Sequence, residues 1–155
     1  MDVVVATSEN FPGWLELAGE VEALFGPMVE DADFHQGLRS AIEEERAFCI
    51  REAPETPGSR LCGGIVILTW AREIAWFAVR KDCRGQGFGK ALLAHAISRF
   101  EAGADICVQT FDSTVEEGRP ARSLYRAFGF VDHKRCAPNS AGLPTVVMVR
   151  TKENE

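Results

Sequence analysis

The sequence predicts a mixed α+β fold. Apolar residues recur at strand spacing in some segments and at helix spacing in others, and the segments follow the order β-α-α-β-β-β-α-β-α-β-β, not the regular βαβ alternation of a parallel sheet. The chain has 155 residues, 46% of them hydrophobic and 26% charged. That is the size and make-up of one domain with a sizeable core. No internal repeat or linker divides it, so residues 1–155 are expected to form a single domain.

The elements follow in order. Residues 2–6 read as a short Val-rich strand. Residues 12–25 space Trp14, Leu17, Val21 and Leu24 at helical intervals, with Pro12 near the first turn. Residues 31–46 read as a second helix, ending in the charged run Glu43-Glu44-Glu45-Arg46. A strand is expected at 47–51, then a turn at 52–59 marked by Pro54, Pro57 and Gly58. Branched residues make 61–70 a strand, and 72–79 is the next. Residues 88–100 form a helix with Leu92, Leu93, Ala96, Ile97 and Phe100 on one apolar face. A strand at 106–111 precedes a helix at 120–128, which Gly129 stops. Strands at 130–135 and 145–150 close the chain.

The segment from Glu73 to Leu93, EIAWFAVRKDCRGQGFGKALL, carries the most chemistry. An apolar strand enters a glycine-rich turn that opens directly into a helix. A helix N-terminus offers unpaired N–H groups and the positive end of the helix dipole. Glycines let that backbone approach a bulky anion. A phosphate-bearing ligand is therefore expected, and a glycine-rich turn that binds nothing is the competing reading. A Walker A loop fails, because Arg84 stands where its first Gly belongs and Ala91 where its Ser or Thr would hold magnesium. The dinucleotide fingerprint fails too: counted from Gly85 it meets Lys90, and from Gly87 it meets Leu92. A third pattern, Arg or Gln, two residues, Gly, one residue, then Gly or Ala, fits Arg84-Gly85-Gln86-Gly87-Phe88-Gly89 throughout.

With the strand before it and the helix after it, this motif resembles the acetyl-CoA-binding motif of the GNAT superfamily of N-acetyltransferases. The order of elements also resembles that fold, so the likeness spans most of the chain. It implies a mixed, mostly antiparallel central sheet of about six to seven strands flanked by about four helices. A second stretch, Ala121-Arg122-Ser123-Leu124-Tyr125-Arg126-Ala127-Phe128-Gly129-Phe130, resembles the family segment A-x-x-L-Y-x-x-x-G-F. Many relatives carry Asn seven residues before that Tyr, in contact with the cofactor. Here the position is Gly118, and no such contact is assigned.

The resemblance implies acetyl-CoA as cofactor, coenzyme A as product, no metal, and direct transfer in a ternary complex to a primary amine, that of a small molecule or of a peptide or protein. Backbone N–H groups of Gln86, Gly87, Phe88, Gly89 and Lys90 would hold the pyrophosphate, Arg84 and Gly85 would complete the cofactor-binding loop, and the strand edge at Phe77, Ala78 and Val79 would pair with the pantetheine arm. An N–H there would polarise the thioester carbonyl. Tyr125, the only tyrosine, would protonate the departing thiolate; a phenol of pKa roughly 10 can donate to a thiolate of pKa roughly 8.5 through a short hydrogen bond. An aromatic that merely packs helix on sheet is the alternative. An amine of pKa roughly 10.4 must lose a proton before attack. Glu73, in a pattern similar to the histone-acetylating branch, would be the base, or else a solvated strand-edge carboxylate. Asp112, Glu116, Glu117 and His133 are weaker candidates. Cys83 beside the loop invites an acyl-enzyme, but no His partner is evident in sequence.

Other classes are disfavoured. The net charge of −6 argues against nonspecific nucleic-acid binding. No apolar run reaches membrane-spanning length, and the N-terminus has neither the basic flank nor the apolar core of a signal peptide. Five scattered cysteines without a C-x-x-C pair suggest reduced thiols in a cytoplasm. His35, His95 and His133 have no metal spacing. A homodimer is compatible with this reading. The acceptor site would lie around residues 25–46 and 137–144. There Glu30, Asp31 and Asp33 would either attract a cationic amine or complement a helix dipole. The non-enzymatic alternative is an acyl-CoA-binding regulatory module with the same fold.

Overall fold

The computed structural model describes residues 2–151. The elements are β1 (Val4–Val5), α1 (Phe11–Phe25), α2 (Ala32–Glu43), β2 (Ala47–Arg51), β3 (Leu61–Leu68), β4 (Glu73–Val79), α3 (Phe88–Ser98), β5 (Ile106–Phe111), α4 (Arg119–Ala127), β6 (Phe130–Cys136) and β7 (Thr145–Arg150). The strands form one 7-stranded sheet in the order β1-β2-β3-β4-β5-β7-β6. Every pairing is antiparallel except β4 with β5. The expected mixed, mostly antiparallel sheet with four helices is what the chain forms.

Two apolar layers sandwich the sheet. On one face α1 and α2 bury Trp14, Leu17, Val21, Leu38 and Ala41 against Ala47, Cys49 and Leu61. On the other, Leu92, Leu93 and Ala96 of α3 and Tyr125 of α4 pack on Phe48, Ile65, Ile74, Val108 and Met148. The strand residues divide between the faces because successive side chains point to opposite sides.

Several element limits differ from the periodicity, including the end of α3, which stops at Ser98 and not at Phe100. The second helix stops at Glu43, short of Arg46, because Glu45 turns left-handed at φ 58°. Arg46 then folds back, donating from Nη1 to the Ile67 carbonyl at 2.8 Å and lying 4.9 Å over the Trp70 ring. β3 ends at Leu68 because the chain reverses before Arg72, itself left-handed at φ 51°, and leaves Trp70 68% exposed. β1 keeps only Val4 and Val5 paired with β2.

Candidate active site

The sheet opens where β4 and β5 part. The two strands pair only at Glu73–Cys107 and Ile74–Val108. On its other side β4 pairs with β3, but the register slips between Val66–Trp76 and Ile67–Ile74, leaving Ala75 as an extra residue. A bulge of this kind bends its strand. Beyond it, β5 stays with β7 as far as Phe111–Thr145, and among the described residues the β5 side of residues 75–79 meets no strand. A cleft of about 580 Å³ occupies the gap. Its lining includes Phe25 of α1 and Tyr125 of α4, so it joins the two faces of the sheet.

The bulge also sorts the side chains of β4. Ile74, Phe77 and Val79 join the α3/α4 layer, while Trp76 and Ala78 join the α1/α2 layer. By alternation Glu73, next to Ile74, lies on the α1/α2 face. Burial there raises its carboxyl above the usual carboxylate range. The neighbouring Cys107 thiol is raised as well, by burial first and then by the charge of Glu73.

At its far end β4 leads into the glycine loop. Gly87 caps α3 in the left-handed region at φ 87°, a conformation that costs other residues about 1–2 kcal/mol. The first bond of the helix runs from the Ala91 N–H to the Gly87 carbonyl at 3.1 Å. The N–H groups of Phe88, Gly89 and Lys90 therefore have no carbonyl within the helix to reach. A Cβ on Gly89 would come 3.3 Å from Leu124 and 3.4 Å from Val79, so the helix start sits tight on β4 and α4. An anion with several oxygens suits such a helix start, and an extended amide-bearing chain suits the open edge of β4.

Tyr125 is 3% exposed. Its ring meets Phe77 with centroids 6.0 Å apart and Phe130 at 5.5 Å. Its hydroxyl makes no hydrogen bond among the described residues. Nor is it among the sealed orphan polar atoms, which are Trp14 Nε1 and Arg46 Nε. Since Tyr125 lines the cleft, the remaining opening for that hydroxyl is the cleft itself. Burial pushes the phenol far above its ordinary value, so it holds its proton at neutral pH.

The cleft thus gathers Glu73, Phe77, Ala78, Val79, Arg84, Gly85, Gly87, Phe88, Gly89, Lys90 and Tyr125. Gln86 is not on its lining; its side-chain amide donates back to the Asp82 carbonyl at 3.4 Å. Of the weaker candidates only Glu117 lines it. Glu30, Asp31 and Asp33 do not, and Asp31 instead caps α2 by accepting the Asp33 N–H at 3.0 Å. Cys83 is buried, and its thiol is pushed up to about 12 by burial and by the Cys62 thiol beside it. Sequence reasoning did not single out the aromatic wall on the α1/α2 side, Phe25, Trp76 and Phe111. Trp76 was visible as the alternate residue of the strand, but Phe25 and Phe111 meet only through the fold. The structure also accounts for Gly118, since a Cβ there would lie 2.7 Å from the Cβ of Phe111.

The family model described as acetyltransferase (GNAT) domain matches residues 43–132, from the end of α2 into β6. No curated protein matches the sequence. Among solved structures, the chain is similar to Ard1 from Thermoplasma volcanium, with TM-score 0.73 and 19% identity over 97% of this chain and 96% of that one. It is similar to a chain of the NatC complex bound to Gag peptide and CoA, with TM-score 0.70 and 20% identity over 97% and 99%. A variant of the spermidine N-acetyltransferase SpeG from Vibrio cholerae gives TM-score 0.66 and 15% identity over 99% and 96%. At these identities the likeness is one of fold.

Proposed function

The chain belongs to the GNAT acetyltransferase family, and on that premise we propose that it moves the acetyl group of acetyl-CoA to a primary amine by direct attack in a ternary complex, the whole chain acting as one transferase domain. The observation that carries this reading is the parting of β4 and β5, which opens one cleft onto a strand edge, a helix N-terminus and a phenol. The CoA bound to a NatC complex of similar fold supports the choice of cofactor. Five free cysteines suit a reducing, cytoplasmic setting.

The residues present fit coenzyme A. The edge at Phe77, Ala78 and Val79 has hydrogen-bonding groups for the amides of a pantetheine arm, as an added strand would use them. The backbone of residues 84–90, with its left-handed glycines and unpartnered helix-start N–H groups, suits a pyrophosphate. Gln86 would contribute through its backbone, since its side chain turns away.

Bound acetyl-CoA supplies an activated acetyl carbon: the amine nitrogen gains it, the carbon–sulfur bond breaks, one proton leaves the nitrogen and one reaches the sulfur. Glu73 and Tyr125 are suited to those two protons. Glu73 approaches from the α1/α2 face, and burial strengthens its hold on a proton, which suits a base for the one proton that leaves the attacking amine, directly or through a water. Tyr125 approaches from the α3/α4 face and keeps its phenol protonated, so that Oη can donate a short hydrogen bond to the thiolate as it forms. A backbone N–H of residues 77–79 would polarise the acyl oxygen.

A thiol-release assay with acetyl-CoA and a panel of amines tests the reading. Amine-dependent release of free thiol is expected. Binding of acetyl-CoA without amine-dependent release would instead favour a non-catalytic acyl-CoA-binding module.

A further inference from the structure

The α1/α2 side of the cleft has a composition that selects among amines. Its wall is aromatic: the Trp76 and Phe25 rings lie 6.1 Å apart at 74°, and Phe25 lies 5.7 Å from Phe111. Trp76 and Phe25 are half-buried and line the cleft, so ring surface remains open to it. The indole is held in place, with Nε1 donating to the Met28 sulfur at 3.3 Å.

Charge on this side is sparse. Among the described lining residues, the acids are Glu73 and Glu117, and Glu117 belongs to the exposed turn leading into α4. The nearby polar groups are already engaged. Asn139 donates to the Leu24 carbonyl at 2.8 Å and accepts the Ala141 and Leu143 N–H groups at 3.0 and 3.1 Å. Thr145 donates to the Ala137 carbonyl at 2.8 Å and accepts from Gln109 at 3.0 Å. The acidic start of α2 lies off the cleft.

We infer that the acceptor is a primary monoamine with an aromatic or branched aliphatic body, seated against Trp76, Phe25 and Phe111 with its nitrogen toward Glu73. This rests on the transferase reading above. Such a body gains the burial that the rings offer. A polyamine would bring a second ammonium against an apolar wall whose neighbouring polar side chains, Asn139, Thr145 and Gln109, are already engaged, and burying an unpaired charge is strongly unfavourable. Trp76 is then a specificity-determining residue, acting on the body of the acceptor and not on the transferred group.

The experiment compares kcat/KM of the unmodified chain for phenethylamine, isoamylamine and spermidine by thiol release. Phenethylamine and isoamylamine are expected to exceed spermidine by about tenfold or more. Trp76→Leu, checked for an unchanged melting transition, should lower kcat/KM for phenethylamine while leaving KM for acetyl-CoA unchanged. Spermidine equal to or better than the apolar amines overturns the inference while leaving the transferase reading standing. Silence with these three while another amine of the panel is turned over overturns the inference alone; silence across the whole panel overturns the transferase reading, and the inference falls with it.

Discussion

The rings of Phe77 and Tyr125 meet at 60° with centroids 6.0 Å apart, which hangs the chain's single phenol beside the strand edge that β5 leaves open. Phe77 fixes the ring, and the hydroxyl is left facing the cleft. If that hydroxyl supplies the proton for the leaving sulfur, Tyr125→Phe keeps the packing and removes only the donor. We expect kcat to fall about a hundredfold or more, with acetyl-CoA affinity nearly unchanged. The check is single-turnover kinetics beside a binding titration. An unchanged rate where chemistry limits turnover would remove Tyr125 from the acid role.

Glu73 gives a pH prediction with a definite sign. Burial raises its carboxyl above the usual range, so as pH falls the base is protonated earlier than an exposed glutamate would be. The amine's own ionisation tilts every profile, so the informative quantity is the ratio of the rates of the unmodified chain and Glu73→Gln. That ratio should be largest well above the raised value and shrink as pH falls through it. A ratio constant across the range would return Glu73 to a structural role.

Gly118 and Phe111 occupy one space. With a Cβ at residue 118 placed 2.7 Å from the Phe111 Cβ, Gly118→Ala must push the end of β5 or the start of α4. We expect a loss of about 1–3 kcal/mol by denaturant unfolding, which Phe111→Leu does not recover, because leucine keeps the Cβ. An unchanged unfolding midpoint in Gly118→Ala would show that there is room for a side chain at residue 118.

Cys83 should be chemically quiet. Burial and the neighbouring Cys62 push its thiol up to about 12, leaving very little thiolate at neutral pH. Intact-mass measurement after incubation with acetyl-CoA and no amine should show no acetyl-enzyme, and Cys83→Ala should keep its turnover. A stoichiometric adduct lost in that variant would revive an acyl-enzyme route.

The sequence was most readable where one local rule acted alone. Alternation and helical spacing gave β2, β5 and β7 their observed limits, and the residues from Arg84 to Gly89 distinguished three glycine templates by counting. The ends that differed answer to long-range contacts. Arg46 leaves its helix to bond the Ile67 carbonyl, and Trp70 leaves its strand to lie beneath Arg46. The bulge at Ala75 was illegible because strand periodicity carries no record of which partner slips, yet it directs Trp76 to one face and Phe77 to the other. The contact of Phe25 with Phe111 joins α1 to β5 across most of the chain, beyond the reach of any local pattern.

The central claim is that the gap between β4 and β5 holds acetyl-CoA, and the melting temperature with and without that ligand tests it most directly. A ligand that binds only the folded chain stabilises it by about 2.7 kcal/mol at a hundredfold excess over Kd. For a domain of this size that corresponds to a rise of roughly 5–10 °C. The account predicts that rise, reduced in Gly87→Ala, where the left-handed cap of α3 is disfavoured. No shift at saturating acetyl-CoA would contradict it.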